Sequence, residues 1–242
     1  MGYRGALGEA GRGGAMSDTA SDRLAGRLVG LTLVVQMVLS PIYNFKLLDP
    51  VFAAPGFLAN AAPHGAEMAL GVALMIVTAI AGVAGAVFAW PTFRRSAPTL
   101  ALLFLAISVV CAVLLIVEGQ QLLTMRSLSE AFVVAQGANA ALFETLRKTV
   151  GNARNWAHYT GLILSGVSVM LFYATLFRTR LVPRLFGAAG MLAGVLQLVS
   201  VTRPLWEIDV NFMMLAPLGL VHMTLALWLL VRGFTSRDAH PR

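Results

Sequence analysis

The sequence predicts an all-α fold, a polytopic transmembrane helical bundle of six spans, and three observations carry that expectation. Of its 242 residues, 58% are hydrophobic and only 12% charged, where a soluble domain carries roughly 25% charged residues. The apolar residues gather into six long stretches, and about 20 of them suffice to cross about 30 Å of hydrocarbon as a helix. Arginines crowd the gaps on one side only. Backbone groups in lipid must pair within the chain, which leaves helices or closed barrels. These stretches are too long for barrel strands and lack their period-two alternation.

Taken in order, residues 1–27 are rich in Gly, Arg, Ser and Asp, a composition too polar to pack, and are expected as a mobile cytoplasmic segment. Met16 opens the run MSDTASDRLAGR and is an alternative start to Met1, with residues 1–15 then an upstream extension. The first span is expected at about 28–45. A cleavage-like Val51-Phe52-Ala53 lies well beyond it, so the span is read as retained rather than as a signal peptide. The second span covers about 67–90, ended by Pro91, and the third about 99–118. Residues 119–154 mix Gln120, Gln121, Arg126, Glu130, Glu144, Arg147 and Lys148 with apolar residues at helical spacing. They read as one or two amphipathic helices lying on the membrane face or capping the bundle. The fourth span is expected at about 156–177, the fifth at about 185–201 after Pro183, and the sixth at about 212–231, with 233–242 as a cytoplasmic tail.

The N-terminus, the 91–98 and 178–184 loops and the C-terminus hold two thirds of the 18 lysines and arginines. Arg94, Arg95, Arg178, Arg180 and Arg184 in the short loops give the cleanest signal. Positively charged loops stay in the cytoplasm, which places both termini inside and the 119–154 segment outside, in a multi-pass protein of the inner (cytoplasmic) membrane. The net charge of +7 does not indicate nucleic acid, because the basic residues stand singly beside apolar spans. The lipid bilayer is their natural partner. The single cysteine, Cys111, allows no intrachain disulfide and no Cys-rich metal site.

Small residues recur at helix-packing spacing in Gly26/Gly30, Gly82/Ala86 and Gly190/Gly194. In lipid they let helix backbones approach closely. Packing within the monomer is the first reading; a homo-oligomer or membrane partner protein held through Gly190 and Gly194 is the second.

Polar residues gather at one depth. Glu67 opens the second span, Glu118 closes the third, and His158-Tyr159 lie about one turn into the fourth. Tyr43 and Asn44 end the first span, while Arg203, Glu207 and Asp209 occupy the turn between the fifth and sixth. At about 1.5 Å per residue these fall roughly 5–8 Å from the outer boundary. Together they make an outward-facing polar pocket for a cation, a head group or a small ligand. The competing reading is interfacial side chains that snorkel to water and need no role. His222 sits about 15 Å deep in the sixth span, near the midplane, and needs a partner facing the bundle interior. It is either a structural hydrogen-bonding residue or a ligand and proton-relay residue. The ligand-binding candidates are therefore Glu67, Glu118, His158, Tyr159, Arg203 and His222.

No HExxH, GxSxG, Walker or Rossmann pattern is present, so no catalytic, cofactor-binding or metal-ligating set is assigned. Ser165 and Ser168 lie near His158 on the fourth span, but helix hydroxyls ordinarily bond back to carbonyls. A bis-histidine haem on His158 and His222 is disfavoured by a depth difference of about 10 Å.

Two stretches resemble a bacterial family of six-span membrane proteins catalogued as a domain of unknown function. One is Leu176-Phe177-Arg178-Thr179-Arg180-Leu181-Val182-Pro183-Arg184 with Phe186-Gly187-Ala188-Ala189-Gly190 after it. The other is Pro217-Leu218-Gly219 through Leu227-Trp228-Leu229-Leu230-Val231-Arg232-Gly233-Phe234. Glu118 is similar to an acidic residue at the same place in that family. The resemblance implies the six-span architecture over about residues 20–235 and implies no activity. Residue placement alone favours a non-enzymatic binding, accessory or membrane-organising protein. Ligand or ion binding and transport through the outward pocket comes next, and an intramembrane enzyme third.

Overall fold

The computed structural model describes residues 4–235, with side chains from Thr19 onward. The chain runs through α1 (Arg4–Pro41), a π-helix (Ile42–Leu47), α2 (Asp49–Phe52), α3 (Phe57–Asn60), α4 (Gly65–Phe93), α5 (Pro98–Ala135), α6 (Ala140–Thr179), α7 (Arg184–Thr202), a 3₁₀ turn (Arg203–Trp206) and α8 (Phe212–Arg232). No strand occurs among the described residues. Six segments are long and apolar enough to cross a membrane: Thr19–Phe52, and α4 to α8 with the turn after α7.

Each long helix packs on its neighbours in sequence, α4 on α5, α5 on α6, α6 on α7 and α7 on α8, while α1 packs on both α4 and α8. The six spans therefore close into a ring, up and down in alternation. The α1–α8 seam is made by glycine. A Cβ at Gly30 would stand 2.9 Å from the Leu229 Cβ, and one at Gly26 would overlap the backbone of Gly233 and Phe234. Gly190 and Gly194 are likewise consumed inside the molecule. Both are buried on α7, where Gly190 faces the Tyr173 ring and a Cβ at Gly194 would lie 2.6 Å from the Met170 sulfur on α6. That face is not free for a second chain, so a partner held through Gly190 and Gly194 has no surface to use.

At the arginine-rich end the chain is knitted together by more than apolar contact. Of the polar segment 1–27, expected as mobile, residues 1–3 lie outside the described residues and 4–18 are helical backbone. Residues 19–27 are helical and join the bundle. Asp22 is buried, accepts from the Thr92 hydroxyl at 2.8 Å and pairs with Arg95. α4 runs on through Pro91 to Phe93, since a proline this close to a helix end removes one hydrogen bond without breaking the remainder. Phe93 stacks with Phe104, Phe172 and Phe234 at centroid distances of 5.6–6.2 Å. The Thr235 N–H donates to the Leu181 carbonyl at 2.9 Å. Of the tail, 236–242 lie outside the described residues.

The other end is built differently. The 119–154 segment is helical, as expected, but forms no separate helix on the membrane face. It continues α5 and α6 as two antiparallel arms. No Pro or non-helical residue interrupts 120–135, and an existing helix lengthens at the cost of one residue per added hydrogen bond. The turn comes only at Gln136, Gly137 and Asn139, all with positive φ, and Phe132 meets Phe143 edge-on at 5.4 Å beneath it. With 38 residues in α5, the helix is about 57 Å long and outreaches a hydrocarbon core of about 30 Å. The 48–64 connection packs onto this extension. The buried Ser129 hydroxyl donates to the Leu58 carbonyl (2.8 Å) and accepts from the Ala62 N–H (2.9 Å), and Arg126 donates to the Gly65 carbonyl (3.1 Å).

A candidate intramembrane binding site

The closed ring is not filled. A cavity of about 530 Å³ lies inside it, lined by α1, α4, α5, α6, α7 and α8. The linings follow helical periodicity: Val29, Thr32, Gln36 and Ser40 on α1; Phe104, Ser108, Cys111, Leu115 and Glu118 on α5; His158, Leu162, Ser165, Val169 and Phe172 on α6. Each set repeats every three or four residues and so occupies one inward face. From Phe104 to Glu118 the rise is about 21 Å, so the cavity runs through much of the bundle.

Its end away from the arginine-rich loops holds a buried charge cluster. Glu118 is 4% exposed. Its Oε1 accepts from Arg154 Nη2 at 2.7 Å and lies 3.0 Å from His158 Nδ1. Arg154 and His158 are four residues apart on α6 and share a helix face; that spacing lets both reach one carboxylate on α5. Phe52 of α2 covers the cluster, with the Arg154 guanidinium 4.8 Å over its ring. The Arg154 Nε is buried with no hydrogen-bond partner. Tyr43 and Asn44 come to the cavity from the π-helix, where one extra residue per turn re-aims side chains.

Hydroxyls and amides continue the polar lining inward. Ser108 and Ser168 meet at 3.2 Å between α5 and α6. Gln197 of α7 donates to the Ser165 hydroxyl at 3.4 Å, and its buried carbonyl oxygen has no partner. His222 lines the cavity from α8, its Nδ1 3.2 Å from the hydroxyl of the fully buried Tyr173. This is the interior partner that a midplane histidine requires.

Of the six residues singled out in the sequence, Glu118, His158 and His222 line this cavity. The other three stand apart from it. Glu67 is exposed on the first turn of α4. Tyr159 packs its ring on Trp156 (6.4 Å) and His158 (5.6 Å). Arg203 donates to the Asp209 carbonyl at 2.7 Å and braces the turn before α8. Sequence reasoning missed Arg154, at the end of the 119–154 segment. It also passed over Gln36 and Gln197, although an amide inside an apolar span is a legible signal of an inward face. The Ser165 hydroxyl bonds to the Leu162 carbonyl and Ser168 to Ser108, so neither is engaged by His158. Among the described residues no group of three or more His, Cys, Asp or Glu is placed to hold a metal ion.

Six apolar helices closed into a ring, with a buried ion pair and a polar-lined cavity inside, define a polytopic helical membrane protein with an internal chamber. The chain belongs to the family described as a domain of unknown function (DUF4386), which matches residues 28–233. No curated protein and no solved structure matches it.

Proposed function

We propose that this is a binding protein of the cytoplasmic membrane that holds a small molecule within its helical ring. The arginine-rich loops face the cytoplasm, as short basic loops do. The α5–α6 arms and the Glu118 cluster lie on the opposite side. The observation that carries the reading is the cavity itself: its size falls within the roughly 300–1,000 Å³ of small-molecule sites, and its lining is mainly apolar with a few convergent polar groups. A bundle selected only for stability would close such a space, because unfilled volume costs packing energy. A membrane-organising role draws less support, since the glycine faces that would serve it are spent on α6 and α8.

The test is retention of a ligand by the full chain. Gly82 lines the cavity, and a Cβ there meets only the Gln36 side-chain oxygen, at 3.5 Å. Gly82→Leu therefore pushes a side chain into the chamber from α4, starting from a Cβ that meets no backbone. Wild-type protein purified in mild detergent and extracted into organic solvent should yield, by mass spectrometry, a molecule in near-stoichiometric amount that the filled variant lacks. Identical extracts from the two proteins would overturn the proposal.

A further inference from the structure

The chamber is covered at both ends but not along its whole side wall. At the arginine-rich end the rings of Phe104 and Phe172 stand 5.4 Å apart, and Phe93 stands 6.1–6.2 Å from both. At the arm end Phe52 and Arg154 cover Glu118. The α1–α8 seam is tight only in its inner half, where Gly26, Val29, Gly30 and Thr32 of α1 and Leu225, Ala226 and Leu229 of α8 are buried. Further out, no residue from 33 to 41 on α1 and none from 212 to 224 on α8 is buried. The outer end of α8 is tied to α7 instead: the Ser200 hydroxyl donates to the Asn211 carbonyl at 2.8 Å and accepts from the Asn211 N–H at 3.0 Å. A proline stands on each side of the loose half, Pro41 and Pro217, where a missing N–H and a ring against the preceding turn work against straight, close-packed helices.

Of the residues that line the chamber, Pro41 and Gly219 alone are exposed. Eleven residues outward from the Gly30–Leu229 contact, the antiparallel helices reach Pro41 on α1 and Leu218, beside Gly219, on α8. The two exposed lining residues thus face each other at one level across the seam, and a Cβ on Gly219 meets nothing within 4 Å. Gly219 is seven residues in from Phe212 at the end of α8, about 10 Å, inside a hydrocarbon half-thickness of about 15 Å. The outward side chains near it, Phe212, Met213, Leu220 and Met223, are apolar. What lies outside the gap is therefore lipid, not water.

We infer that the gap framed by Pro41 and Gly219 is a lateral portal through which the chamber takes its ligand from the bilayer, a molecule with a hydrocarbon chain dissolved in the leaflet on the side of the α5–α6 arms. The inference rests on the binding role proposed above and names the source and class of the ligand. Entry from lipid suits the walls. A chain passing from hydrocarbon to a chamber lined by Met37, Leu115, Leu162 and Leu218 gives up no hydration on the way.

Photolabelling of the full-length protein in vesicles reads the route. A hexadecane bearing a diazirine dissolves in the bilayer, whereas a diazirine-bearing glucose stays in the water outside. On α5, Cys111 and Leu115 line the chamber while Val109 and Val113 are exposed, so one helix carries the signal and its own reference. The hexadecane should label both pairs and the glucose neither. Gly219→Phe and Pro41→Phe each put a ring into the gap. Either should slow the rise of Cys111 and Leu115 labelling, relative to Val109 and Val113, by about tenfold or more, since every passage must then turn that ring out of its rotamer. Leu227→Phe, on the same helix but exposed and not part of the chamber wall, should match wild type. Two variants on different helices keep the test open if one fails to fold. Unchanged rates in the variants at the gap, or labelling of Cys111 and Leu115 by the glucose, would overturn the portal. If the hexadecane never reaches Cys111 or Leu115 while extraction still finds a retained molecule, the portal fails and the cavity reading stands. If extraction finds none either, the cavity reading fails with it.

Discussion

Replacing Arg154 by methionine asks how much of the bundle depends on the buried Glu118–Arg154 ion pair. Methionine keeps most of the side-chain length and removes the charge. It leaves the buried Glu118 carboxylate with only the His158 ring within hydrogen-bond distance. Breaking a buried pair from one side costs about 3–5 kcal/mol, because the surviving charge stays desolvated. Arg154 retains 12% exposure, so some solvent reaches the site and the lower part of that range, about 3 kcal/mol, is expected. Loss of the guanidinium from the Phe52 ring adds about 0.5–1 kcal/mol. Glu118→Gln is milder, about 1–2 kcal/mol, since the amide oxygen still accepts from Arg154 and only the charge-assisted share of the bond is lost.

The double variant removes both charges at once. Its destabilisation should fall short of the combined single effects by about 2–3 kcal/mol, the signature of direct coupling. Denaturant titration with sodium dodecyl sulfate in mixed micelles, followed by circular dichroism, measures all four proteins. Single effects that add to within about 0.5 kcal/mol in the double variant would refute the pair, and the account of the Glu118 cluster with it.

Three further outcomes are expected. Gly190→Ala puts a methyl into the ring of Tyr173, which is fully buried and within 3.2 Å of His222 and so cannot swing aside; against a helix-propensity gain of about 1 kcal/mol, overpacking leaves a net loss of about 1–2 kcal/mol. Gly219→Ala, with nothing within 4 Å, should be neutral or gain up to about 1 kcal/mol in the same titration, and equal behaviour of the two would sink the α6–α7 packing. Ser129→Ala strips partners from both the Leu58 carbonyl and the Ala62 N–H, a loss of about 1–3 kcal/mol that should raise proteolysis in the 53–64 connection; unchanged cleavage would show that Ser129 does not anchor it. In a Cys111→Ala background, a membrane-impermeant maleimide applied to whole cells should label Val134→Cys, at a position 81% exposed near the tip of the α5 arm, and should not label Arg94→Cys; the reverse pattern would invert the topology.

Much of the architecture was legible before any coordinates. Lipid offers the backbone no hydrogen bonds, so six apolar stretches have to be six helices, and their number and order follow. Boundaries were less legible where polar residues sit on helices that outlast the bilayer. The 119–154 segment is amphipathic in composition, yet nothing in it breaks a helix before Gln136, so it lengthens α5 and α6 instead of forming an element of its own. Within α1, Asp22 looks like solvent-facing sequence until Thr92 and Arg95 are found around it.

The candidate site divides in the same way. Glu118, His158 and His222 stand out in the sequence because ionisable groups within a span are costly unless paired. Which of the six candidates share a space is a question of helix rotation, and depth along the helix axis cannot answer it. Glu67 is level with Glu118 by residue count but turned outward on α4, and Arg203 is spent on its own turn.

By itself, then, the sequence determined the solvent, the helices and the excess of arginine in alternate gaps, because these follow from local composition and from spacing along one chain. The tertiary structure alone decided that α1 meets α8 through Gly26 and Gly30 and closes the ring. It decided, too, that Arg154 turns inward to Glu118 and that a chamber remains among the six helices. Those depend on contacts between residues as many as two hundred positions apart, such as Arg27 with the Val231 carbonyl, for which no short-range pattern exists.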